Sequence, residues 1–184
     1  MTKTRLKHKS KRLIKYLIVL AFAFYAFIRI ESHKTVIDGD TIVIGREKIR
    51  FSNIDAPEMR QTCICQGKET NCGIKAKDAL FRFIGSNTVS CEPKGRDFYG
   101  RLIAECFINI NGQKTSLNTL MVQDGMAVVI SKHDERLLSK EAEAISRKKG
   151  FWGCERFELP SNFRKKARTT TAATAVPAEQ EQLP

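Results

Sequence analysis

The sequence predicts a mainly β, α+β domain that follows one N-terminal transmembrane helix. The supporting observations are short strand patterns separated by turn residues, three amphipathic helical patterns, and an apolar segment near the N-terminus. Short strands with helices grouped at one end are typical of an OB-type barrel. Because 184 residues suffice for one core plus appendages, we expect one five-stranded OB-type barrel with three helices.

The N-terminal segment combines a basic start with an apolar run. Residues 1–34 hold nine Lys or Arg against one Glu, and residues 16–28 contain no charged side chain. Basic residues before an apolar segment keep that end cytoplasmic and place the following chain outside. We predict a cytoplasmic tail over residues 1–12, an uncleaved anchor over 13–30 and a linker over 31–34. A cleaved signal, with a secreted or periplasmic domain, is the alternative.

The predicted domain covers residues 35–166 and contains short strands of alternating polarity. In the third strand, Ile49 and Phe51 face one side and Arg50 faces the other. Turn residues such as Asn109 and Gly112 separate neighbouring strands. The strands are predicted at residues 35–37, 41–45, 47–54, 87–92, 100–108 and 126–130.

Three helical patterns lie between and after these strands. In the first, apolar residues recur at i, i+4, i+7 and i+8, and Gly85 ends the pattern. Gly125 and Gly150 follow the other two. The helices are predicted at residues 73–84, 116–123 and 134–149. Residues 167–184 lack periodicity and are predicted to be a disordered tail.

Four short motifs supply acidic and basic residues suited to phosphate chemistry. They lie at residues 36–41, 50, 54–58 and 97–101, and their candidate site residues are Asp40, Asp55, Glu58, Arg50 and Arg101. Two aspartates presented by turns can share Ca²⁺, which prefers oxygen ligands. Arginines donate forked, charged hydrogen bonds where a phosphate gains charge. The third acid can orient or deprotonate a water molecule.

Each of these residues also has an ordinary structural interpretation. Asp38 and Gly39 can shape a hairpin turn, and we interpret Asp38 as a turn residue rather than a ligand. Arg50 alone would be an exposed strand residue, but the complete acid set beside it favours a role at a site. Tyr99 and Arg101 could belong only to the entry of a strand after a tight turn.

In order and spacing, the four motifs resemble the staphylococcal nuclease family, over residues 35–163. The resemblance implies an SNase-like barrel and a calcium-dependent phosphodiesterase acting on DNA and RNA. It also implies cleavage that expels the 5′ oxygen and leaves a 3′-phosphate.

The resemblance assigns roles to individual residues. The calcium ligands that it implies are Asp40, Asp55 and the backbone carbonyl of Ala56. Glu58 is implied as the general base or as the residue that positions water. Arg50 and Arg101 are implied to grip the phosphate, and Tyr99 is implied to bind substrate.

The expected partners follow from charge and resemblance. A net charge of +12 suits a polyanion, so we expect DNA and RNA substrates, a membrane bound through the N-terminal helix, no small-molecule cofactor, and a monomer. A non-catalytic nucleic-acid- or protein-binding barrel tethered to the membrane is the alternative, since OB folds also bind single strands. The complete acid and arginine set favours the enzyme.

Six cysteines agree with an exported domain, because an even number in an oxidising compartment indicates disulfides. We favour Cys63–Cys72, which closes the loop after Glu58, and Cys91–Cys106, which flanks a predicted hairpin turn. Cys65 and Cys154 are left paired or free. A zinc site is less favoured because the three clustered cysteines lack a fourth ligand nearby in sequence.

Overall fold

The computed structural model describes residues 14–20 and 34–174. Residues 14–20 are helical, and the first strand begins one residue before the predicted domain. Among the described residues, no helix combines the length and apolar character needed to cross a bilayer. The predicted tail over residues 1–12 and most of the predicted anchor and linker lie outside the described residues.

The described residues contain ten strands, and six of them form one mixed sheet. The strands are β1 (Lys34–Val36), β2 (Thr41–Ile44), β3 (Glu47–Phe51), β4 (Ile54–Asp55), β5 (Thr62–Cys65), β6 (Lys68–Asn71), β7 (Ser90–Arg96), β8 (Leu102–Ile110), β9 (Gln113–Ser116) and β10 (Val128–Val129). The sheet has the order β1-β2-β3-β8-β7, with β9 on β8. Its β3–β8 pair is parallel, whereas its other pairs are antiparallel.

The predicted α+β, mainly β class is confirmed, but the predicted count of five strands and three helices is too low. Strands β5 and β6 form a separate hairpin where the sequence indicated only a cysteine-rich loop. Strand β4 separates from β3 and pairs with β10 instead. In the described part of the chain, the pairing path of the main sheet ends at β1 and β7.

Within residues 34–174, four α-helices lie between or after the strands: α1 (Cys72–Ile84), α2 (Leu117–Gln123), α3 (Glu135–Ser146) and α4 (Pro160–Thr174). The first three begin after a polar cap, because the side chains of Asn71, Ser116 and Asp134 accept hydrogen bonds from backbone N–H groups three residues later. Two of these caps were predicted as first helical residues. The buried core lies between these helices and the sheet and includes Phe51, Leu80, Leu117, Met121 and Leu137.

Helix α4 corrects the prediction that residues 167–184 are disordered. The helix starts at Pro160, a residue preorganised for a first helical position, and continues to Thr174. Arg, Lys and Ala in its sequence favour helix, and the hydroxyls of Thr169 and Thr170 donate to carbonyls one turn earlier. Of the α4 residues with a described exposure, only those in the first turns are buried or half-buried. Because so little of the helix packs on the domain, it can form with a weak apolar pattern. Residues 175–184 lie outside the described residues.

Three cysteine pairs are joined in the structure. Cys63–Cys72 and Cys91–Cys106 are the pairs that the sequence favoured, and the second joins directly opposite positions of β7 and β8. The third pair, Cys65–Cys154, connects β5 to the end of the 3-10 turn after α3. Cys154 thus lies close in space to the three cysteines that are clustered in sequence, although sequence spacing did not indicate it. It is paired with Cys65 as a disulfide.

Candidate active site

Asp40 is held at the start of β2 by its turn and by the residues around it. Its backbone N–H donates to Asp38 Oδ1 at 3.1 Å, a contact expected of an aspartate that shapes a turn. The Asp40 side chain is almost fully buried. Its Oδ2 accepts from the backbone N–H of Ala56 at 2.9 Å, and its Oδ1 accepts from Thr41 Oγ1 at 2.9 Å. The carboxylate is therefore fixed against the strand that carries Asp55.

Arg50 joins the two predicted aspartate ligands. Its Nη1 lies 2.6 Å from Asp40 Oδ1, and its Nη2 lies 2.7 Å from Asp55 Oδ1. Asp55 is 1% exposed, so both aspartates contribute buried negative charge to one guanidinium. Burial lowers the pKa of Arg50, but the carboxylates outweigh this effect and the pKa is raised. The fork is thus permanently charged and fixed in direction.

Arg164 is a second bridging arginine that the sequence analysis did not identify. Its Nη2 lies 2.8 Å from Asp55 Oδ2, and its Nη1 lies 3.0 Å from Asp55 Oδ1 and 2.8 Å from Glu58 Oε1. These contacts raise its pKa above the ordinary arginine value. Arg164 lies on α4, in a segment that was assigned to the domain without a role. Its only sequence signal was its place in the basic stretch Arg164-Lys165-Lys166, and such stretches are common on solvated surfaces.

Together these contacts form a continuous chain of charges. It runs in the order Asp40, Arg50, Asp55, Arg164 and Glu58. Among the described residues, no three carboxylates have oxygens within 4.8 Å of one another. The arginines thus lie between the acids and separate them.

Burial raises the pKa of Asp40 to about 7, although Arg50 opposes the shift; the nearby Asp38 adds to it. Such a carboxylate needs more positive charge to stay ionised at neutral pH. A hard cation that accepts oxygen ligands would supply that charge. Asp40 and Asp55 offer carboxylate oxygens, the ligand type that Ca²⁺ prefers, and in this structure these oxygens accept hydrogen bonds from Arg50, Arg164 and the Ala56 N–H.

Tyr99 and Arg101 lie on the turn between β7 and β8. Asp97 holds this turn, since its Oδ1 accepts from the backbone N–H groups of Tyr99 and Arg101. Asp97 Oδ2 accepts from Arg101 Nε at 2.6 Å, and among the described residues the terminal nitrogens of Arg101 have no other side-chain partner. Tyr99 is 76% exposed, with Arg101 Cζ 5.8 Å from its ring centre.

The predicted site residues meet in one cleft of about 320 Å³. Its lining is largely polar and consists of Asp38, Asp40, Arg50, Ala56, Pro57, Glu58, Tyr99, Arg101, Arg164 and Arg168. Asp55 lies behind this lining and reaches it through its two arginines. Ala56 contributes an N–H bond to Asp40, and its predicted carbonyl ligand role stays a prediction.

The loop that carries Glu58 is held by residues that the sequence analysis also missed. Gln61 is fully buried, and its Oε1 accepts from the backbone N–H of Glu58 at 3.2 Å while its Nε2 donates to the Glu158 carbonyl at 2.6 Å. At Gly73, a Cβ atom would lie 1.9 Å from the Glu58 carbonyl oxygen. Helix α1 can therefore pack on the loop only because residue 73 lacks a side chain.

Gly39 allows a similar close approach beside Asp40. A Cβ at this position would lie 2.7 Å from the Cβ atoms of both Ala56 and Ala76, neither of which can rotate away. We expect Gly39→Ala to displace Asp40 from Ala56, lower stability by about 1–3 kcal/mol and reduce the rate of catalysis. Thermal melting and rate measurements would test this. In the matched change Gly45→Ala a Cβ meets no atom within 4 Å, but the φ of +61° strains any side chain; it should lower stability yet leave the rate unchanged, and an equal rate loss at both positions would contradict the packing argument.

Comparisons with known proteins agree with this geometry. The family model described as "Staphylococcal nuclease homologue" matches residues 48–154, which include Arg50, Asp55, Glu58 and Arg101 but neither Asp40 nor α4. The chain is 35% identical over 121 residues to the succinoglycan biosynthesis protein ExoI of Rhizobium meliloti, covering 64% of this chain and 62% of that protein. The chain thus spans less than two thirds of that relative.

Two other relatives cover more of both chains. Protein ParB of Escherichia coli is 29% identical over 163 residues, covering 82% of this chain and 86% of that protein. Micrococcal nuclease of Shigella flexneri is 27% identical over 149 residues, covering 74% and 80%. The chain therefore belongs to the staphylococcal nuclease family.

Proposed function

We propose that this protein is a calcium-dependent nuclease that hydrolyses phosphodiester bonds of DNA or RNA outside the cytoplasm. The observation that carries the proposal is the chain of charges from Asp40 to Glu58, which borders a cleft that also holds Arg101 and Tyr99. A module that only bound nucleic acid would not need buried carboxylates between its arginines. The relatives with nuclease names support the same function.

Asp40 and Asp55 would hold Ca²⁺ with the Ala56 carbonyl. When bound, the ion acts as a Lewis acid toward a phosphoryl oxygen.

The protein's own groups would position and stabilise the reacting phosphodiester. Arg50 and Arg101 donate to its non-bridging oxygens, where negative charge increases as water attacks phosphorus. Glu58 orients that water and takes its proton at Oε2, the oxygen that Arg164 does not bind. The bond from phosphorus to the 5′ oxygen breaks, the departing oxygen takes a proton from solvent, and the 3′ side keeps the phosphate.

The location of the domain is proposed from its cysteines and its N-terminal sequence. Three cysteine pairs lie at disulfide positions, and disulfides persist in oxidising compartments. The basic start and apolar run over residues 1–30 favour export behind an uncleaved anchor. Protease treatment of intact cells or spheroplasts should degrade the domain, and full protection until lysis would contradict export.

The metal requirement gives a direct test of the activity. Purified full-length protein should cut plasmid DNA and a single-stranded oligonucleotide with added Ca²⁺, and a calcium chelator should reduce the rate at least about 100-fold because Lewis-acid stabilisation is lost. The products should carry 3′-phosphate ends by enzymatic end-labelling. Undiminished cutting in chelator would contradict the metal site, whereas tight binding without any cutting would favour the binding-module alternative.

A further inference from the structure

A second groove adjoins the proposed active site. It has a volume of about 370 Å³ and lies between the loop after Glu58 and the first turns of α4. Its lining consists of Glu58, Met59, Arg60, Phe163, Arg164, Ala167 and Arg168. Unlike the catalytic cleft, most of its surface is apolar.

The groove is continuous with the catalytic cleft. Glu58, Arg164 and Arg168 line both cavities. The ion pair between Glu58 and Arg164, at 2.8 Å, therefore forms the boundary between them. A chain whose phosphodiester lies beside Glu58 would have its next unit at this boundary.

The chemistry of the groove separates into an apolar part and a cationic part. Met59 and Phe163 are half-buried and supply a thioether and an aromatic ring, whereas Arg60 and Arg168 are exposed. Within the described residues, neither of these two arginines forms an ion pair with a carboxylate. An apolar surface beside guanidiniums that pair with no carboxylate of the described residues is complementary to a nucleotide, which has an apolar base face and an anionic phosphate.

We propose that this groove binds the nucleotide adjacent to the cleaved phosphodiester in a single-stranded substrate. The base packs against Met59 and Phe163, and the phosphate lies between Arg60 and Arg168. A base paired in a duplex cannot enter the groove without leaving its stack, so the groove favours single strands. The identity of the occupant as substrate rests on the proposed nuclease function.

This subsite is a feature of α4. The match to the nuclease family ends at residue 154, whereas α4 begins at Pro160. Phe163, Arg164 and Arg168 therefore come from a segment beyond the matched family domain. The rest of the groove includes Met59 and Arg60, which belong to the loop that Gln61 holds in place.

Binding without cleavage tests the subsite directly. In chelator, a short fluorescein-labelled single-stranded DNA should bind Phe163→Leu about tenfold more weakly than the wild type, because Leu keeps the packing but removes the stacking ring. Arg168→Ala should lower the magnitude of the slope of log K against log salt by about 0.7, the value for one lost phosphate contact on a single strand. Lys165 is an exposed cation on α4 outside the groove lining. The matched control Lys165→Ala should therefore keep the part of the DNA affinity that depends on Phe163.

A duplex of the same sequence should show a much smaller loss with Phe163→Leu. Wild-type affinity and salt slope in both groove variants would overturn the subsite. An equal loss in Lys165→Ala and Arg168→Ala would also overturn it, since general charge would then explain binding.

Hydrolysis of bis(p-nitrophenyl) phosphate separates this inference from the proposed function. This diester has no nucleotide to fill the groove, so Phe163→Leu, whose side chain does not line the catalytic cleft, should hydrolyse it in Ca²⁺ like the wild type while its KM for single-stranded DNA rises. If the wild type hydrolyses neither substrate but the binding differences appear, the nuclease proposal fails and the groove remains a nucleotide site. If both substrates are affected equally, the groove acts only through the catalytic cleft and the subsite is rejected.

Discussion

Glu58→Gln is expected to lower the turnover rate about 10²–10⁴-fold, the usual contribution of a positioned general base. The amide keeps the size of the side chain but cannot take a proton from water at Oε2. Because the Glu58 side chain is 42% exposed, the protein should melt near the wild-type temperature. Single-turnover cleavage of an oligonucleotide in saturating Ca²⁺ measures the effect on the chemical step.

Two outcomes distinguish proton transfer from a structural role of Glu58. The variant should bind single-stranded DNA in chelator with nearly wild-type affinity, since Arg164 keeps Asp55 as a partner. Glu58→Asp should recover part of the rate, because it restores a carboxylate at a shorter reach. A Gln variant that cuts at the wild-type rate would show that another group accepts the proton.

Arg50→Ala is expected to have a comparable effect on rate and an additional effect on stability. Removing one donor to a developing oxyanion costs about 10²–10³ in rate. The change also leaves two almost fully buried carboxylates without their shared cation, which should lower stability by up to about 3 kcal/mol in chelator. Cleavage rates and denaturant unfolding measure the two effects separately.

Arg50→Lys is the matched control for the charge. Lysine keeps the positive charge but cannot bridge two carboxylates with a planar fork. We expect it to recover much of the stability and little of the rate. If Arg50→Lys cuts as fast as the wild type, a point charge is sufficient and the bidentate role of Arg50 is wrong.

The residues brought together by β2, β3 and β4 could be predicted from the sequence. Asp40, Arg50 and Asp55 lie within a short stretch, and ordered motifs with fixed spacing imply their convergence in one fold. The Cys91–Cys106 pair was accessible for a similar reason, because two strands around one tight turn place these positions opposite each other. Local spacing was therefore informative wherever the contact spans one turn or one hairpin.

The contribution of α4 could not be predicted in this way. Arg164 contacts Asp55 over a separation of 109 residues, and neither an apolar pattern nor a motif marks the helix as part of the site. The same holds for Gln61, whose side chain bonds a carbonyl 97 residues away. Such contacts depend on how segments that are distant in sequence pack together. The local sequence around a polar residue is the same whether or not its side chain makes such a contact.

The attachment of the Glu58 loop to Glu158 and Arg164 has a practical consequence for expressing this domain. A version trimmed to residue 154, where the family match ends, would lose the carbonyl that receives Gln61 and the guanidinium that bridges two acids. It would keep every residue of the motifs, but the loop that carries Glu58, the proposed general base, would be held less firmly. Cloning boundaries placed after Thr174 would avoid mistaking that loss for an inactive enzyme.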